Sequence, residues 1–341
     1  MPDRSMTPRN AEMTRSRALA LATVALATVA LPLLAQDRPR TTKTDTPPDG
    51  EKRFAGPIEG GFLLPNGWTL TPAGDQVALT DLPLNILPLP GGKQALVATS
   101  GFNAHELSLI DLETKKIVNR AEVRQSWFGL AADLAAGKLW WSGGGGGVIH
   151  TFDVNGTRLE RTGAPEPVAA RKGDAKTDAA PSPVVAKFSS GLALDAESGT
   201  LYSLDISDGQ VLALDPVTGA VKKKAAIGGR PYDIAIARNR ARLYVSDWSG
   251  ARVLALDPAD LRVVDTIPIG EHPNQMVLHP TDGRLFVACA SSNSVAVIDT
   301  RRGDLIETIH TALFPRAPEG STPDALALSP DGETLYVANA D

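Results

Sequence analysis

With 341 residues, a net charge of −5 and no basic stripe, the chain offers nothing that would hold a nucleic-acid backbone. Its single cysteine, Cys289, excludes an internal disulfide framework and any metal site built on several thiolates.

Residues 1–35 read as an export signal, because Arg15 and Arg17 precede an unbroken apolar run from Ala18 to Ala35 that ends on a small residue before Gln36. The run is barely long enough to stay in a bilayer as an anchor. Either way the body is expected outside the cytoplasm, in the periplasm or beyond the cell. Residues 36–61, rich in Thr, Pro, Lys and Asp, read as a disordered tether, so the folded domain is expected to span 62–341.

Within that span the sequence repeats. Asp215, Asp257 and Asp299 end equivalent apolar strands at a spacing of 42 residues, Tyr202, Tyr244 and Phe286 keep the same step, and Asp111 and Asp153 repeat it earlier. The stretch 230–270 holds one whole unit, with four short apolar runs bounded by Gly, Pro, Asp or Asn. Four strands per period of about 40–45 residues is the pattern of a β-propeller, in which each unit must stack on its neighbours to bury its faces. The expected class is therefore all-β, with six to seven four-stranded blades.

Six first-plus-second strand pairs follow one another, at 86–98, 130–142, 192–204, 234–246, 276–288 and 326–338. Residues 163–187 read as an insertion between the second and third of them. Two closures are open. Trp68 to Thr80 resembles a third and fourth strand and would complete the last pair as a sixth blade, or the sequence is a fragment and a seventh blade lies beyond it.

The strand Tyr336-Val337-Ala338-Asn339, its degenerate copies at 244–247 and 286–289, and the turn Ser329-Pro330-Asp331-Gly332 resemble the YVTN β-propeller family over roughly residues 66–341. The opening at 64–74, followed by Asp81-Leu82-Pro83-Leu84-Asn85, is similar to the start of secreted YVTN propellers fused to an alkaline-phosphatase-type phosphoesterase domain. The resemblance implies a C-terminal catalytic domain in the same polypeptide. The metal ligands and nucleophile of those proteins have no counterpart in this sequence, so none is assigned.

Several constellations read as structure. The five histidines show no two-His metal spacing, Gly143 to Gly147 leads into a strand rather than a phosphate-binding helix, and no Gly-x-Ser-x-Gly elbow occurs. The repeated aspartates at 111, 153, 215, 257 and 299 read as turn caps, and Cys289 as a buried thiol.

Candidates for function come from register. The loops entering the innermost strands ring one mouth of the channel and bring up Asn85, Trp127, Ser190, Arg230, Tyr232, Asp233, His272, Asn274 and Asp324, with Asp247 and Trp248 from the loop after a second strand. Convergent polar and aromatic groups around a concave entrance suit an unknown small ligand or a protein partner. No cofactor is required; were a cation held there, oxygen-only ligands would favour calcium. The first reading is thus a non-catalytic binding module. One rival is a lactonase-type hydrolase using Asp233 with His272 or Arg230, and the other is a structural protein of the cell envelope.

Overall fold

The computed structural model describes residues 54–71, 73–162, 183–237, 241–312, 314 and 321–340. The export signal and most of the tether and insertion lie outside these residues. The chain divides into two compact units at Thr71.

In the first unit, strands β1 (Gly56–Ile58), β2 (Gly61–Leu63) and β3 (Thr69–Leu70) form an antiparallel sheet. Gly60 turns the first hairpin at φ +74°, which a side chain would resist. Strand β1 falls inside the stretch read as tether, so ordered structure begins earlier than expected. Apolar Pro57 pairs with Phe62 across that turn, with Ile58 opposite Gly61 and Leu63 opposite Gly56.

The second unit holds the repeats. Blade 1 comprises β4 (Pro83–Pro88), β5 (Gln94–Thr99), β6 (His105–Asp111) and β7 (Lys116–Val123). Blade 2 comprises β8 (Leu130–Asp133), β9 (Lys138–Ser142), β10 (Ile149–Asn155) and β11 (Arg158–Arg161). Blade 3 comprises β12 (Ser189–Asp195), β13 (Thr200–Asp205), β14 (Gln210–Leu214) and β15 (Val221–Ala226). Blade 4 comprises β16 (Pro231–Ile236), β17 (Leu243–Asp247), β18 (Arg252–Leu256) and β19 (Val263–Pro268). Blade 5 comprises β20 (Pro273–Leu278), β21 (Arg284–Cys289), β22 (Ser294–Asp299) and β23 (Asp304–His310), and the sixth sheet has two strands, β24 (Pro323–Leu328) and β25 (Leu335–Asn339). In all six sheets the strands pair antiparallel in sequence order.

The core lies between blades. Because side chains alternate along a strand, Leu243 and Val245 pack with Tyr202 and Leu204 of blade 3, while Tyr244 between them packs with Met276 and Leu285 of blade 5. Similar clusters join blades 1 and 2, 2 and 3, and 5 and the sixth sheet. The turns follow the expected chemistry. Asp111, Asp215, Asp257 and Asp299 each accept backbone N–H bonds two or three residues on. These bonds hold the Asp111 and Asp215 carboxyls below the usual carboxylate range. Asp153 departs from this, pairing instead with Lys138.

One strand expectation is corrected. Residues 75–80 form no strand, and among the described residues β25 pairs with β24 alone, so 75–80 supply no outer strand to the last pair. Asp75 instead pairs with Lys115 of blade 1, and Leu79 lies in a cleft beside Ile86 and Val97. The end of the insertion is anchored, since the N–H groups of Val185 and Ala186 donate to the carbonyl of Gly147.

Candidate functional site

The inner strands of blades 3, 4 and 5 share one irregularity. Pairing with the second strand skips from Ser189 to Leu192, from Pro231 to Ile234 and from Pro273 to Met276. The skipped pairs, Ser190-Gly191, Tyr232-Asp233 and Asn274-Gln275, include residues expected at the mouth. Such a bulge frees two residues from the ladder and re-aims their side chains.

Most of the released polar groups are spent on the neighbouring blade. Asn85 donates from Nδ2 to the Phe128 carbonyl (2.7 Å), and Ser190 Oγ donates to the Pro231 carbonyl (3.2 Å). Asp233 Oδ2 accepts the Met276 N–H (2.8 Å), while its Oδ1 accepts that of Ile234 (2.8 Å). One blade on, Gln275 Oε1 accepts the Leu326 N–H (2.7 Å). Asn274 Nδ2 reaches Asp324 Oδ1 (2.6 Å). These contacts form a series of latches between successive inner strands. Burial pushes the Asp233 carboxyl up to about 7 and also raises the Asp324 carboxyl and the Tyr232 hydroxyl.

Beside these latches glycine permits close backbone approach, at Gly129 toward blade 3 and at Gly191 toward blade 4. A Cβ on Gly129 would overlap the Ser190 carbonyl, and one on Gly191 would press on Tyr232 and Asp233 backbone atoms. Gly129→Ala is therefore expected to cost about 1–3 kcal/mol as an overpacked site, read as a lower urea midpoint. The close approach also lets Phe128 stack on Tyr232 at 4.7 Å and 19°.

A second group is aromatic and cationic. Trp248 stacks on His272 at 4.0 Å and 19°, and the Arg230 guanidinium lies 6.0 Å from the Trp248 ring centroid. His272 Nδ1 shares a 2.5 Å hydrogen bond with Ser291 Oγ. Asp247 is buried and holds this corner together, accepting the Arg230 N–H (2.8 Å), the Ser249 hydroxyl (3.1 Å) and Arg252 Nε (2.8 Å). Among the described residues no carboxylate lies within ion-pairing distance of Arg230, whose side chain is exposed beside a shallow hollow with Ile206, Ser207 and Gly229. Trp127 stands apart from this stack, edge-on to Phe188 at 5.4 Å.

The expected ring thus separates into latches and a rim stack. Asp233 is not joined with His272 or Arg230 as an acid/base pair: its two oxygens meet backbone N–H groups while His272 is engaged by Trp248 and Ser291. Among the described residues no three His, Cys, Asp or Glu side chains gather to hold a metal ion. Sequence reasoning missed Ser246, which bonds the Asp233 N–H and the Asn274 carbonyl. The available signal was a serine two residues after the strand aromatic, since Ser142 likewise receives the Gly129 N–H.

No protein-family model and no curated protein matches the sequence. Among solved structures, Kuenenia stuttgartiensis hydrazine synthase, a propeller-containing protein, is similar with a TM-score of 0.57 and 16% identity, over 77% of this chain and 75% of that one. The fold is a β-propeller. At that identity the likeness concerns the fold alone, and propellers host unrelated activities.

Proposed function

We propose that this chain is an exported, non-catalytic binding propeller that takes a negatively charged ligand group against the Arg230, Trp248 and His272 stack. The observation that carries the reading is the exposed Arg230 guanidinium, 6.0 Å from the Trp248 ring centroid and without an ion-pair partner among the described residues, while the nearby Asp247 carboxylate is occupied by the Arg230 N–H and Arg252 Nε. A guanidinium drawn toward an aromatic face keeps its N–H groups for a carboxylate or phosphate. In this reading the chain is also the N-terminal module of a larger phosphoesterase-like protein, which supplies the chemistry. The support for that part is the sequence resemblance at 64–85.

Titration with inorganic phosphate, and separately with acetate, tests the ligand claim through Trp fluorescence, with Trp248→Phe identifying the reporting ring. Saturable quenching that weakens at least tenfold in Arg230→Gln is the expected result. Equal titration of Arg230→Gln and the parent protein, or no saturable change with either anion, would remove the anion reading.

A further inference from the structure

Blade 2 departs from the other four-stranded blades in the turn between its third and fourth strands. In those blades Asp111, Asp215, Asp257 and Asp299 each cap that turn by accepting backbone N–H bonds. Blade 2 instead closes on a two-residue turn, Gly156-Thr157, with Asn155 paired to Arg158. Gly156 lies at φ +58°, the glycine-first pattern of a type II′ hairpin. That change of turn puts Asn155-Gly156-Thr157 at the tip, and Asn155 is the only one of the chain's ten asparagines followed two residues on by Ser or Thr. All three residues are exposed. The Asn155 carboxamide is also spare. Asn85, Asn119, Asn274 and Asn339 each donate from Nδ2 to another residue, whereas Asn155 makes no side-chain hydrogen bond among the described residues.

We propose that Asn155 is an N-glycosylation acceptor. Oligosaccharyl transfer needs Asn-x-Ser/Thr with x other than Pro, and its place is a surface loop of an exported chain. The donor class is a polyprenyl-diphosphate-linked oligosaccharide, met on the outer side of the export membrane. Asn155 Nδ2 forms a bond to the anomeric carbon, the bond from that carbon to the diphosphate oxygen breaks, and its electron pair leaves with the polyprenyl diphosphate. One amide proton passes to a base of the transferase. The Thr157 hydroxyl makes no hydrogen bond among the described residues and is open to the transferase, since only the Thr157 carbonyl is engaged, by Asn119 Nδ2 (2.9 Å). The fold accommodates the addition. Val154 and Leu159 on either side pack into the cluster shared by blades 1 and 2, while the tip between them is exposed, so a bulky hydrophilic chain there displaces no core contact. The inference rests on the exported half of the reading above, and the Arg230 site plays no part in it.

Trypsin isolates the site, because cleavage after Lys138 and Arg158 releases residues 139–158 with no internal Lys or Arg. In protein recovered from the cells that make it, mass spectrometry of that peptide is expected to show an added oligosaccharide, and fragmentation should place the sugar on Asn155. Asn155→Gln and Thr157→Ala should each abolish the added mass, and Thr157→Ser should retain it. All three changes fall at exposed turn positions and should leave the melting temperature where the unglycosylated parent has it, so loss of the sugar is not loss of the fold. An exported chain whose 139–158 peptide has its unmodified mass, or a sugar that persists in Asn155→Gln, would overturn this inference alone. A chain found only in the cytoplasm would overturn it together with the export reading, and cell fractionation tells the two failures apart.

Discussion

Tyr244→Ala is expected to destabilise the propeller by about 3–5 kcal/mol, the range for removing a large buried aromatic. Tyr336→Ala, at the same place in the repeat, should shift stability by less than about 0.5 kcal/mol, as exposed substitutions do. The difference is one of neighbours. Tyr244 packs into the cluster formed with Met276, Leu285 and Val287 and donates its hydroxyl to the Thr300 carbonyl at 2.9 Å. Truncation would leave a cavity between two rigid sheets that can collapse only in part. Tyr244→Phe separates the contributions and should cost about 1 kcal/mol for the hydroxyl alone. Urea denaturation at constant m-value measures all three. A large loss in Tyr336→Ala would mean that the cleft beside Ile86 is closed in solution.

The contrast between these tyrosines shows what the sequence could carry. Strand positions repeat in the chain because each blade needs the same alternation of apolar residues, so Tyr202, Tyr244, Phe286 and Tyr336 could be aligned by subtraction. Burial depends on the neighbouring sheet, which the residues flanking Tyr336 do not record. The mouth was legible in the same partial way. Register placed Tyr232, Asp233 and Asn274 where the bulges release them, but a bulge does not reveal that Asp233 will meet the N–H of Met276 rather than a ligand. Residues 68–80 misled for a related reason. Their Pro-x-Gly turn resembles that of an outer hairpin, yet a strand forms only where a partner edge is offered, and residues 75–80 lie beside blade 1 instead.

Asp233→Asn should turn a shallow pH profile into a steep one, because two buried groups of opposite sense offset each other in the parent protein. Burial raises the Asp233 carboxyl from 3.8 to about 7. The folded chain therefore holds a proton that the unfolded chain releases, and stability from this group falls as pH rises between about 4 and 7, by an upper bound of about 4 kcal/mol. Burial lowers His150 from 6.5 to about 4, with its Nε2 at 2.7 Å from the Gln125 carbonyl. Here the unfolded chain binds the extra proton, so stability from His150 falls as pH drops from about 6.5 to 4, by an upper bound of about 3 kcal/mol. Between pH 7 and 5 the two slopes nearly cancel. With the Asp233 charge removed, the His150 slope stands alone, and the variant should lose about 2 kcal/mol between pH 7.5 and 5 where the parent changes little. His150→Gln should show the reverse slope, gaining stability toward acid. Thermal melts of the three proteins across that window measure both slopes, and parallel profiles would show that Asp233 keeps an ordinary carboxylate pKa in the fold. That result would also bear on the rival hydrolase reading, whose general acid or base needs a carboxyl that titrates near neutrality.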